Sequence, residues 1–136
     1  MVRQLILDTS ILIAYERGRL DLAAIADADD SVAIAAITIA EFRVGIEQAK
    51  TKQQIDGRTR FLATLLKYAQ VLDYTAATAT HHARLLSFAS HQGLRRGAHD
   101  LIIAAHAAES GRLLLAADSR AGFDALPDVK VQIIRQ

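Results

Sequence analysis

The chain has 136 residues, the size of one globular domain, and 51% hydrophobic against 23% charged residues excludes intrinsic disorder. It contains no cysteine, which excludes a disulfide framework, a thiolate nucleophile and any zinc site built on sulfur. Sixteen Lys and Arg against fifteen Asp and Glu leave a net charge of +1, so any attraction to phosphate must be local.

Leu5 to Leu7 reads as a short buried strand stopped at Asp8. Ile11, Leu12, Ala14 and Tyr15 follow at helical spacing and end near Gly18. A second helix is expected through Leu20, Leu22, Ala23, Ile25 and Ala26, ahead of the acidic turn at Asp27, Asp29 and Asp30. Ser31 to Ala35 is the next strand. A helix opening near Thr38 would bury Ile39, Phe42 and Ile46 and leave Arg43 outside. Gln53 to Tyr68 predicts a longer amphipathic helix with Ile55, Phe61, Leu62, Leu65 and Leu66 inward. Val71 to Tyr74 is a third strand, and Thr75 to Gln92 a helix closed by Gly93. His99 to Ser110 forms another helix closed by Gly111, and Arg112 to Ala117 a nearly unbroken apolar strand stopped at Asp118. A short helix at Phe123 to Leu126 and a strand at Lys130 to Ile134 complete the series. Alternating strands and helices, with seven Gly and one Pro to interrupt them, predict a single domain over residues 1–136. Its architecture is a three-layer α/β/α domain around a parallel sheet. The opening segment is too short for a signal peptide, and no apolar run approaches the ~18 residues of a membrane span. The expectation is a cytoplasmic protein.

Acidic residues stand where ligands bind in such folds. Asp8 and Asp118 each end an apolar strand, and ligands of open parallel sheets sit beyond the carboxyl ends of strands, where strand order reverses. Glu41 lies in the apolar stretch AAITIAEF, and Asp100 opens DLIIAAHAA. Four residues further on stand Gly45 and Ala104, so ordinary intrahelical ion pairing explains neither acid. Each acid also has a plainer role open to it. Asp8 and Asp118 could cap helices, Asp100 could face a helix dipole, and Glu41 could be solvated. Two carboxylates at about 5 Å repel by about 3 kcal/mol at an effective dielectric of about 20. A hard divalent cation removes that repulsion, all-oxygen ligands suit Mg²⁺ or Mn²⁺, and the chemistry that follows is phosphodiester cleavage.

The DTS at Asp8, TIAEF around Glu41, HDLIIAAHA at Asp100 and LLLAADSRAGF at Asp118 resemble the PIN-domain family, and more narrowly its VapC-type toxin ribonucleases. The likeness runs from LILDTSILIAYE to VKVQII. It implies a PIN-like sandwich with a five-stranded parallel sheet and an Mg²⁺- or Mn²⁺-dependent endoribonuclease. It also implies inhibition by a cognate VapB-like antitoxin and a homodimer. Asp8, Glu41, Asp100 and Asp118 match the family's acidic quartet, with Asp8, Asp100 and Asp118 as metal ligands. Thr9 or Ser10 matches its hydroxyl after the first acid. The family often carries Thr or Ser two residues before the last acid, where this chain has Ala116. Ser119 is a candidate to replace that hydroxyl, and Asp124 is a substitute or addition to Asp118.

Arg95, Arg96 and His99, just before Asp100, are candidate RNA contacts, with a solvated loop as the plainer reading of the arginines. His81, His82, His91 and His106 show no metal-ligand spacing and read as surface or packing residues. Apolar residues of the two early helices, among them Ile13, Tyr15, Leu20 and Leu22, exceed one small buried face, and the surplus suits an antitoxin groove or a dimer surface. Two other classes compete: a PIN-like module that binds RNA or protein without cutting, and a receiver- or phosphatase-like domain. Ser10 stands where the phosphatase pattern needs a second Asp.

Overall fold

Leu5, Ile6 and Leu7 send alternate side chains to opposite faces of a sheet, and all three are buried because both faces are covered. The computed structural model describes residues 2–136. In chain order it contains β1 (Gln4–Leu7), α1 (Thr9–Glu16), β2 (Ser31–Ala35), α2 (Ala36–Glu47), α3 (Lys52–Tyr68) and β3 (Gln70–Leu72). Then come α4 (Ala76–His91), α5 (Ala98–Ser110), β4 (Leu113–Ala116) and β5 (Val131–Ile133). The five strands pair in parallel in the order β3-β2-β1-β4-β5. Strand order therefore reverses between β1 and β4, with Leu7 opposite Leu115, and the two strand-ending acids leave the sheet at that switch point.

One apolar layer joins Leu5 and Leu7 to Leu12 of α1, Phe42 of α2 and Leu62 of α3. The other joins Ile6 to Leu85 of α4 and Ile103 of α5. The α/β/α sandwich expected from the sequence is the fold observed. At the edge opposite the switch point, Arg112 is buried without a carboxylate partner among the described residues. Its guanidinium donates to the carbonyls of Leu5 (3.1 Å) and Ser31 (3.0 Å) and to Gln70 Oε1 (3.1 Å). One side chain thus ties β1, β2 and β3 together, and burial holds its pKa below the usual arginine value.

Several elements differ from the sequence expectation. Leu20 to Ala26 is not a helix; only a 3₁₀ turn forms at Leu22–Ala24, capped by Asp21 accepting from the Ala23 N–H at 3.1 Å. Leu20, Leu22 and Ile25 reach the core from an irregular segment, where apolar spacing over seven residues is too short to sustain a helix. The helix expected at Phe123 to Leu126 is likewise one 3₁₀ turn, Phe123–Ala125. Ile55 is exposed rather than inward, and the buried residues of α3, Leu62 and Leu65, lie in its second half. The outer strands β3 and β5 have three residues each, fewer than expected.

Candidate active site

Asp8 is the first residue beyond β1, and its backbone N–H still donates to the carbonyl of Leu115 on β4 at 2.9 Å. Its side chain caps α1: Oδ2 accepts from the Ser10 N–H (3.2 Å) and from the Ser10 hydroxyl (2.5 Å). The capping role is real and uses only one oxygen. Oδ1 is buried and has no hydrogen-bond partner. Burial pushes the Asp8 carboxyl up from 3.8 to about 6, the Ser10 hydrogen bonds oppose that shift, and the charges of Asp100 and Glu41 add to it.

Ser10 also ties Asp8 to the end of β4, because its Oγ accepts from the Ala117 N–H at 2.9 Å. Ala116 brings no hydroxyl to this edge, and Ser10 is the side chain that links Asp8 to the backbone after β4. Ser119, the expected replacement, is exposed and makes no side-chain hydrogen bond among the described residues. Thr9 serves Glu41: its Oγ1 donates to Glu41 Oε1 at 2.6 Å and lies 3.4 Å from the hydroxyl of the fully buried Thr38. The other Glu41 oxygen, Oε2, faces His99 Nδ1 at 3.3 Å.

Asp100 stands in the first turn of α5, where the exposed amides favour a carboxylate. Its pKa is raised by burial and by the charges of Glu41 and Asp118, while His99 acts in the opposite direction. Gly97 precedes it for a steric reason. A β-carbon at that position would stand 2.7 Å from Asp100 Oδ2. Asp118, two residues beyond β4, accepts from the Arg120 N–H at 3.1 Å and lies 3.6 Å from the Arg120 guanidinium.

The four sequence-predicted acids thus share one edge and feel one another's charge. They do not close into a ring. Among the described residues no three carboxylates or imidazoles are gathered tightly enough to enclose one ion. The donors nevertheless suit a hard divalent cation: they are all oxygen, and the buried Asp8 Oδ1 lacks a partner of any kind. Asp124 is exposed in the 3₁₀ turn after the site. Arg95 is exposed, whereas Arg96 is half-buried with its guanidinium packed against Gly122, where a β-carbon would stand 2.8 Å from its Cζ.

The remaining histidines lie away from these acids. His106 is buried behind Tyr74, and burial lowers its pKa; His82 Nδ1 pairs with the Tyr74 hydroxyl at 2.8 Å. On the early helices, Ile13 and Tyr15 are partly exposed, and Tyr15 stacks on Phe61 with ring centroids 4.7 Å apart.

Comparison with known proteins bears on the chain as a whole. The family model for the PIN domain matches residues 5–129. Ribonuclease VapC5 of Mycobacterium tuberculosis (strain ATCC 25618 / H37Rv) is 40% identical over 134 residues, covering 96% of this chain and 93% of that protein. The crystal structure of VapBC-5 from Mycobacterium tuberculosis, of the VapBC family of toxin–antitoxin systems, matches with a TM-score of 0.77 at 33% identity, covering 98% of each chain. VapBC2 from Rickettsia felis, bound to a DNA fragment from its promoter, shares the fold with a TM-score of 0.81 at 23% identity, over 96% of this chain and 98% of that one.

Proposed function

The chain belongs to the PIN-domain family, and from that premise we propose that it is a metal-dependent endoribonuclease toxin that hydrolyses RNA phosphodiester bonds and is neutralised by a VapB-like antitoxin. One observation carries the catalytic reading. A buried carboxylate stands at the sheet's switch point with one oxygen unpartnered and two further acids acting on its charge. A solvated or merely capping aspartate has no such free buried oxygen.

Asp8, Asp100 and Asp118 would hold Mg²⁺ or Mn²⁺. The cation, when bound, supplies Lewis-acid stabilisation of phosphoryl charge and a lowered pKa for bound water. Ser10 orients Asp8, and Thr9 fixes one oxygen of Glu41. Glu41 orients the attacking water and accepts its proton at Oε2, beside His99. The water oxygen bonds to phosphorus, the bond from phosphorus to the 3′ oxygen breaks, and that oxygen takes up a proton. The products are a 5′-phosphate and a 3′-hydroxyl. The partly exposed Ile13 and Tyr15 belong to the surface offered to an antitoxin or to a second copy in a homodimer. Among the described residues no helix is long and apolar enough to cross a membrane, and the reading places the protein with its RNA in the cytoplasm.

RNA cleavage by the wild type and Asp8→Asn, with Mn²⁺ or EDTA, tests the proposal. The expected result is cutting by the wild type with metal alone and a loss of at least about 100-fold in the variant. Full cleavage in EDTA, or by Asp8→Asn, would refute it.

A further inference from the structure

Beside the acidic edge lies a cleft of about 180 Å³ with Ser10, Ala117 and Asp118 on its inner side and Arg17, Arg19 and Arg120 around it. Its volume is about six times the share of one water in the liquid, room for a phosphodiester group. Two tight turns aim the arginines. After α1 the Gly18 N–H donates to Tyr15 O at 3.0 Å and the Arg19 N–H to Ala14 O at 2.9 Å, a Schellman closure with Gly18 left-handed at φ 72°. That closure sets Arg17 and Arg19 on either side of the glycine. On the facing loop, Asp118 itself fixes the backbone of Arg120. Gln136 closes the far end by donating its amide to Ala117 O at 2.9 Å.

The charges around this cleft are only partly compensated. Arg17 and Arg19 are exposed and meet no carboxylate among the described residues, and Arg120 has Asp118 alone. Among the side chains lining the cleft three guanidiniums stand against one carboxylate, an excess of positive side-chain charge in a chain whose net charge is only +1. The four acids next door repel an RNA backbone, so the strand needs cations alongside to hold it. Arg96 is packed against Gly122 and is less free to serve.

The geometry points to the cleft of Arg17, Arg19 and Arg120 as the subsite for the RNA backbone flanking the scissile bond, which fixes the strand by its phosphates. This inference rests on the nuclease reading and adds the place where the strand is held. Guanidinium–phosphate pairs position a strand without reading its sequence, so the subsite contributes affinity and register rather than base choice.

Fluorescence anisotropy of a short single-stranded RNA in EDTA, titrated with salt, tests it with Arg17→Gln/Arg19→Gln and Arg17→Lys/Arg19→Lys. Each phosphate contact on a single strand contributes about 0.7 to the slope of log K against log salt. The Gln pair is expected to flatten the slope by about 1.4, equivalent to about 25-fold weaker binding at 0.1 M salt if the two proteins coincide at 1 M. The Lys pair should restore most of the slope. In cleavage assays with metal, the Gln pair should raise KM far more than it lowers kcat. Unchanged slope and affinity in a folded Gln pair, with the wild type cutting RNA, would overturn the subsite; an acidic protein partner in the cleft would give that result. A flattened slope in a series whose wild type never cuts RNA would support the subsite and refute the nuclease reading instead.

Discussion

Asp8→Asn should make the metal-free protein more stable, and the gain should depend on pH. The Asp8 carboxyl titrates near 6 in the fold against an ordinary value of 3.8, chiefly because it is buried. The folded state therefore holds that proton more tightly than the unfolded chain does. Stability is unaffected by Asp8 below about pH 4, falls as pH rises toward 6, and stays reduced above it. At about 1.4 kcal/mol for each tenfold change in proton affinity, the full penalty is about 3 kcal/mol. At pH 5 about half of it is present, and at pH 4 less than about 1 kcal/mol. Asparagine keeps an oxygen to accept from Ser10 and carries no charge, so it escapes the penalty. Urea denaturation of both proteins in EDTA at pH 4 and pH 8 measures the effect. The advantage of Asp8→Asn should grow by about 2 kcal/mol between the two, a difference from which any pH-independent offset cancels. Mg²⁺ at pH 8 should then stabilise the wild type and not the variant. A change below about 0.5 kcal/mol would refute the claim that this carboxylate is held charged at a cost to the fold.

Thr9→Val, which deletes the hydrogen bond to Glu41 Oε1, should lower RNA cleavage by roughly 10- to 100-fold, while Thr9→Ser should retain most activity. Equal rates for all three would show that Glu41 needs no such support. Gly97→Ala should displace the Asp100 carboxylate and weaken Mn²⁺ binding by at least about tenfold in calorimetry, with a folded circular dichroism spectrum. Arg112→Met removes the donors that join three strands and should cost about 2 kcal/mol or more in urea denaturation. A loss within about 0.5 kcal/mol would mean that the sheet edge holds without it.

The sheet was readable because its strands are bounded by chemistry: Asp8 and Asp118 end apolar runs that both faces of a parallel sheet must cover. The fold made β1 and β4 neighbours, which no local pattern states, and that pairing puts their terminal acids at one edge. Leu20 to Ala26 misled because apolar residues at three- and four-residue spacing fit a helix or an irregular segment lying on a core. The supporting hydroxyls were harder still. Thr9 and Ser10 are adjacent in DTS, yet one turns to α2 and the other to the end of β4, a division visible only after folding. The sequence carries two further signals: Arg112, at the start of an apolar strand, hints at a buried cation, and Arg17 and Arg19 flank the helix end at Gly18 with charge.

Crystals soaked in Mn²⁺ and examined by anomalous diffraction test the central claim most directly. The expected result is a manganese peak ligated by Asp8 Oδ1 and Asp100, with Asp118 reaching it directly or through water, and no such peak in Asp8→Asn. Manganese bound elsewhere, or that edge left empty in crystals of protein that cuts RNA, would contradict it.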